Sequence, residues 1–528
     1  MRNNQYTGRS NVLSTKSMVS SSHPLSSLEA ISILKKGGNA IDAAIAASAV
    51  QAVVEPNSTG IGGDCFAIVS LNGKKPVSIN GSGIAPKKAN YEYFKSKKIN
   101  KIELNSPHSV TIPGSVHAWY TMHQKFGKID FSELFNTAEK YAREGFPVYE
   151  IVAKEWDKSY EKLIKIKSTK EIFIKNNKPF KFGEIHKNPK LANTLNSIKR
   201  NNIKDFYQGY IAEDIVNSLT ALGGCHSLED FSSQKTIVSD CIQKGYKQNI
   251  IYQCPPNGPG ITVLLIMAIL EKYNFEKIHP LSTERFHLQA EASKIASELR
   301  DESIGDLSFN DLDIKSILTN ENIENLNKKI ELNKCYKPKN FFTPAHPSTI
   351  YLSVVDKDLN AVSFINSICY AFGSGITSNK TGVLLHNRGV NFRLEENHPN
   401  CIEGHKRPLH TIIPGLVNNH EDQTILSYGV MGGQYQPVGH SHVLQNIFDF
   451  NMSIQESIDF PRAFNFANEY LFEKTIPKNI LRELKNIGHQ TNYTSETHGG
   501  GQAIYIDRKE GVLIGGSDFR KDGCSLGV

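Results

Sequence analysis

The hydrophobic pattern changes period several times along the chain, and each change marks an element. Leu25 to Leu34 carries apolar residues at helical spacing, with Ser26 or Ser27 placed to cap the start. Gly37-Gly38-Asn39 interrupts the pattern. Ala40 to Val54 (AIDAAIAASAVQAVV) is apolar on nearly every side, which predicts a buried helix whose small side chains allow close packing. Glu55-Pro56 ends it. Cys65 to Leu71 and Pro76 to Asn80 read as strands joined at Asn72-Gly73. Residues 116–230 read as mostly helical, with Lys-rich amphipathic segments, and Pro255 to Gly260 forms a rigid loop before a helix over Ile261 to Glu271. Residues 302–345 are polar and show little periodicity, as expected of a solvent-facing segment. After Thr349 the pattern turns to β: Tyr351 to Val355 and Ala361 to Ile368 flank a turn near Asp358 to Asn360. A later apolar run, Ile425 to Val430, ends in Met431-Gly432-Gly433-Gln434.

Composition narrows the class. A chain of 528 residues allows about three domains or one large α/β body. Hydrophobic content of 39% against 21% charged residues indicates a folded globule. The net charge of +7 comes from 60 basic and 53 acidic side chains, too dilute for a nucleic-acid surface, and no dense Lys/Arg run is present. Met1 to Pro24 has no apolar core of a secretory signal, and no stretch of about 18 apolar residues spans a membrane. The eight cysteines lack CxxC spacing, which argues against a zinc cage or disulfide framework and fits a reducing cytoplasm.

The pattern isolates one residue. In His346-Pro347-Ser348-Thr349-Ile350-Tyr351 a polar stretch ends in two hydroxyl residues and a β-like apolar run begins at once. A Thr at such a point, freed as a new N-terminus, carries nucleophile and base together: Oγ attacks and the α-amine takes the proton. An α-amine pKa of roughly 7.7–8.0 leaves it partly neutral at cell pH. Gly432-Gly433 at a strand end can turn successive N–H groups into a cavity, as an oxyanion hole requires.

Other motifs carry less. Gly60-Ile61-Gly62-Gly63 lies between a helix and a strand, the reverse of a phosphate-cradling loop, and reads as a close passage of backbones. Gly523-Cys524-Ser525-Leu526-Gly527 has nucleophile-elbow spacing, but only Val528 follows. His440 and His442, with His386, His398, His405 and His410, lack carboxylate or Cys partners at ligand spacing. No metal, flavin or nucleotide cofactor is implied.

Four segments in order, Gly37–Gly63, Thr349–Gly375, Gly404–Pro414 and Gly429–Gln434, resemble the γ-glutamyltransferase family of N-terminal-nucleophile hydrolases. The resemblance runs from about Ser17 to Gly527. It implies an α/β fold, a four-layer αββα sandwich, in a precursor that cuts itself between Ser348 and Thr349. The products would be a large subunit, 1–348, and a small one, 349–528, held in one body and able to pair as a dimer of heterodimers. It further implies Thr349 as nucleophile, Gly432 and Gly433 as oxyanion hole, and Ser367 as a hydroxyl that bonds the nucleophile.

The pocket departs from the family. Ser82 stands where the transferases have a carboxylate-gripping Arg. Cys369, Arg388 and Asn391 align with the residues that hold the substrate amine, and His410-Thr411 replaces a paired Ser. An Arg cannot accept from an ammonium group but binds carboxylates well. The pattern is closest to the branch holding oxamate amidohydrolase and glutathione-hydrolase-like proenzymes. It predicts hydrolysis of a small carboxylate-bearing amide anchored by Arg388, with a γ-glutamyl amide such as glutathione as the competing substrate. The rival from another class is a non-catalytic relative that binds small molecules.

Overall fold

The structure, a computed structural model, describes residues 8–339, 349–466 and 469–528. Its centre is two seven-stranded antiparallel sheets. One runs in the order Cys524–Gly527, Met18–Ser21, Ile350–Val355, Ala361–Ser367, Asp64–Ser70, Val77–Gly81, Ile237–Asp240. The other runs Val12–Ser14, Val512–Ser517, Gly500–Asp507, Thr424–Met431, Gly415–Asn419, Asn249–Gln253, Ile242–Tyr246. The sheets stack face to face, with Ile350–Val355 against Thr424–Met431 and Gly500–Asp507. Helices cover both outer faces, giving the αββα sandwich.

The strands at the centre are buried on both faces, so they read as apolar runs without alternation. The helix Ala40–Val54 lies on the first sheet with all its residues buried. Its alanines let it approach closely, and Asn39 and Asp42 close a capping box at its start. Gly260–Leu270, equally apolar, and Gln436–Phe448 cover the second sheet.

The helix near the N-terminus spans Pro24–Lys35, and its cap is His23, whose Nδ1 accepts from Leu25 N–H at 3.3 Å, with Pro24 at the first position. Ser26 and Ser27, expected as caps, lie inside the helix. The segment after residue 302 is more regular than its polarity suggests: Ile314–Ile317 and Asn320–Asn327 are helical, the first buried through Ile317 and the second through Ile323 and Leu326. Gly62 and Gly63 mark a close backbone passage: an added Cβ would lie 2.2 Å from Leu384 O or 2.4 Å from Ser367 O. No helix among the described residues is long and apolar enough to cross a membrane.

Candidate active site

Strand register assembles the site. Ile350 pairs with Asn366, so Thr349 stands opposite Ser367. Ser367 pairs with Asp64, and Cys65 with Gly81, which brings Ser82 opposite Asp64. Thr349, Ser367, Asp64 and Ser82 thus form one rung across four adjacent strands, and directly opposed residues of an antiparallel sheet project to the same face. Residues far apart in sequence meet because each lies at, or one residue beyond, an end of its strand.

Thr349 Oγ1 lies 3.1 Å from Ser367 Oγ, and both residues are buried. Ser367 Oγ also accepts from Arg388 Nη2 at 3.1 Å and from Cys369 N–H at 2.9 Å. These two donors fill the acceptor side of the hydroxyl. Among the described residues Thr349 Oγ1 is within its reach. Ser348, the other side of the expected cleavage point, lies outside the described residues.

Behind Ser367 sits a buried charge cluster that the sequence did not reveal. Arg388 reaches Thr411 Oγ1 at 2.7 Å and Asp64 Oδ2 at 3.4 Å, and is fully buried. Asp64 Oδ2 accepts from His386 Nδ1 at 3.0 Å and His410 Nε2 at 3.1 Å, and Oδ1 from Gly83 N–H at 2.9 Å. Burial alone would raise the Asp64 pKa, but His386 and His410 outweigh it and hold the carboxyl well below its usual range. Burial, with Arg388 beside it, pushes His410 down to about 3, so His410 is neutral. Its Nε2–H donates to Asp64, and its Nδ1 accepts from Ile412 N–H at 3.3 Å. His386 faces oxygen at both nitrogens, with Nε2 at 2.8 Å from Thr111 O.

The remaining expected residues border this cluster. Ser82 Oγ accepts from Asn257 Nδ2 at 3.0 Å, and the same amide donates to Pro408 O at 2.7 Å. Asn391 donates to Leu409 O at 3.0 Å, while its Oδ1 has no hydrogen-bond partner among the described residues. Cys369 is buried at φ +77°, and burial pushes its thiol up to about 11, so it is no thiolate nucleophile.

A cleft of about 320 Å³ opens over Thr349, lined among others by Gly432, Met431, Tyr435, His498 and Lys521. Gly432 (φ +122°) and Gly433 (φ +57°) follow the strand Thr424–Met431. A Cβ on Gly432 would lie 2.8 Å from Gly499 Cα, so both its backbone angle and its space require glycine.

His440 and His442 lie on Gln436–Phe448, and His440 Nε2 accepts from Val430 N–H at 3.1 Å. Outside the cluster, His287, Glu291 and His489 bring ligand atoms within 4.8 Å of one another. The Lys294 ammonium already neutralises Glu291 at 2.7 Å, and His287 Nδ1 bonds His489 Nε2 at 2.8 Å. Ser525 Oγ is paired with Ser20 Oγ at 2.7 Å in the strand Cys524–Gly527.

Asp64 and His386 are the site residues that pattern reading missed as a pair. The signal lay in the sequence: Asp64 heads an otherwise apolar buried strand, where an unpaired acid is costly.

Stacked antiparallel sheets with a Thr at the head of a central strand define a hydrolase fold of the N-terminal-nucleophile type. Residues 26–528 match the gamma-glutamyltranspeptidase family, and the chain belongs to it. It is 35% identical to the glutathione hydrolase-like YwrD proenzyme of Bacillus subtilis, over 98% of this chain and 99% of that protein. It is 28% identical to the oxamate amidohydrolase proenzyme of Klebsiella pneumoniae, over 98% of this chain and 99% of that one. Among solved structures, cephalosporin acylase from Bacillus halodurans superposes with a TM-score of 0.94 at 33% identity, covering 99% of this chain and 98% of its own. The chain is an enzyme of this amidohydrolase family.

Proposed function

We propose that the protein cuts itself before Thr349 and then hydrolyses a small amide through an acyl-Thr349 ester. The observation that carries this is the 3.1 Å contact of Thr349 Oγ1 with a Ser367 hydroxyl that already accepts two N–H bonds. In self-cleavage Thr349 Oγ attacks the Ser348 carbonyl carbon. The peptide C–N bond breaks as the acyl group passes from nitrogen to oxygen, and water hydrolyses the ester. The freed α-amine then takes the Oγ proton when Thr349 attacks substrate, and returns it to the leaving amine. Gly432 and Gly433 N–H groups stabilise the oxyanion. Water releases the acid. The two pieces, 1–348 and 349–528, stay together because each sheet is built from strands of both, and pairing of two such heterodimers is compatible with this. A cytoplasmic location fits the unpaired cysteines.

The substrate is a small amide that bears a carboxylate. Arg388 stands where the transferases hold the substrate amine and suits a carboxylate instead, and the relatives include an oxamate amidohydrolase proenzyme. Arg388 is committed to Ser367, Thr411 and Asp64, so anchoring by it requires one Nη to exchange a protein oxygen for a substrate oxygen. A γ-glutamyl amide is the second reading, favoured by the glutathione hydrolase-like relative. The test is amine or ammonia release from oxamate and from glutathione, by wild type and by Thr349→Ala. Turnover of oxamate lost in the variant supports the reading. Preference for glutathione selects the second substrate. Equal activity in the variant overturns Thr349 as the nucleophile, and no activity in wild type on either amide overturns the reading in favour of a binding module.

A further inference from the structure

The cleft over Thr349 holds a cation that the mechanism above does not use. Lys521 lines it together with Thr349 and Gly432. Its aliphatic stem lies along Gly500, where an added Cβ would meet Lys521 Cγ at 2.6 Å and Cε at 2.9 Å. Gly500 is the register partner of Met431, the residue before Gly432. The side chain is therefore laid beside the strand that delivers the candidate oxyanion hole, and Gly500 keeps room for it.

The neighbouring cations are all matched. Lys158 bonds Glu496 at 2.8 Å and Glu155 at 3.2 Å. Arg520 bonds Glu473 and Asp518, and Arg462 bonds Asp518 at 2.7 Å. Lys521 makes no ion pair among the described residues. Asp522, its neighbour in sequence, is held by Ile151 N–H at 3.1 Å. Glu155 and Glu496 also line the cleft, and both are bonded by Lys158; Glu55, a further acid near Lys521, is pushed up to about 7 by burial, so near neutral pH it is about half protonated and balances Lys521 poorly.

We infer that Lys521 forms the carboxylate subsite of the Thr349 cleft and sets the preference for anionic amides. This rests on the amidohydrolase reading and adds to it. Unlike Arg388, Lys521 needs to break no protein ion pair to meet a substrate, and a flexible ammonium follows a small acid of variable length. Its bond to a carboxylate is charge-assisted and partly shielded from water.

The test is calorimetric titration of wild type, Lys521→Gln and Lys521→Arg with glutarate, a carboxylate with no amide to cleave. The expected result is a Kd raised roughly 10- to 100-fold in the Gln variant, the worth of one charge-assisted hydrogen bond, and largely restored in the Arg variant. On an anionic amide the Gln variant raises KM far more than it lowers kcat. Unchanged glutarate binding in Lys521→Gln, no binding in wild type, or a loss confined to kcat would each overturn the assignment. Glutarate binding is read whether or not the chain cuts itself, so failure here is distinct from failure of the nucleophile reading.

Discussion

Replacing Asp64 by Asn probes the buried cluster behind the nucleophile. Asp64 is the carboxylate that Arg388 meets, at 3.4 Å, and both are fully buried. Asn keeps the shape and part of the hydrogen bonding but removes the negative charge, leaving an unmatched guanidinium in the interior. Breaking a buried pair this way costs about 3–5 kcal/mol. For a body of this size about 2 °C of melting temperature accompanies each kcal/mol, so the fall should be roughly 6–10 °C by scanning calorimetry. Asp358→Asn, on an exposed turn, serves as the control. Arg388→Met should be comparably destabilising, and the double variant should lose less than the two single losses added together. Because the Asp64 pKa is held down in the fold, its contribution is complete above the unfolded value of about 3.9 and is lost as pH falls through the folded value. A fall of under about 2 °C, or strict additivity in the double variant, would refute the claim that Asp64 neutralises Arg388.

Other perturbations test the remaining parts. Ser367→Ala removes the hydroxyl beside Thr349 Oγ1 and strands the donors Arg388 Nη2 and Cys369 N–H; kcat and the self-cleavage rate should drop by about 10²-fold, measured by amine release and electrophoresis. Gly432→Ala adds a Cβ 2.8 Å from Gly499 Cα at a φ of +122°, so turnover should fall by about 10²–10³-fold, and near-wild-type kcat would remove Gly432 from the oxyanion hole. His23, His186, His410 and His440 are each pushed down to about 3 by burial. Their contribution is complete above the unfolded value of about 6.5 and shrinks as pH falls toward about 3, by up to ~1.4 kcal/mol per pH unit each. Urea midpoints should therefore decline from about pH 7 to about pH 5, and a flat profile would contradict the buried neutral rings.

Local pattern carried the elements that are uniform along their length. Ala40–Val54 is apolar throughout because every residue is buried, and its ends are marked by Asn39 and Pro56. The hairpin of Ile350–Val355 and Ala361–Ser367 was legible from its turn and its runs. What the sequence left hidden depends on register. Asp64 and Ser82 lie more than 260 residues from Thr349 in the chain, and only the order of strands in the sheet brings them to one rung. Arg388 looked like a free cation because its partner Asp64 is distant in sequence. The cap at His23 was missed because an imidazole nitrogen replaced the usual hydroxyl.

The central claim is that Thr349 becomes an N-terminus. Denaturing electrophoresis with N-terminal sequencing of the smaller band, on wild type and Thr349→Ala, tests it directly. The account predicts two bands in wild type, the smaller beginning Thr-Ile-Tyr-Leu-Ser, and one uncut chain in the variant. A single full-length wild-type band that persists through long incubation, or a cut at another residue, would contradict it.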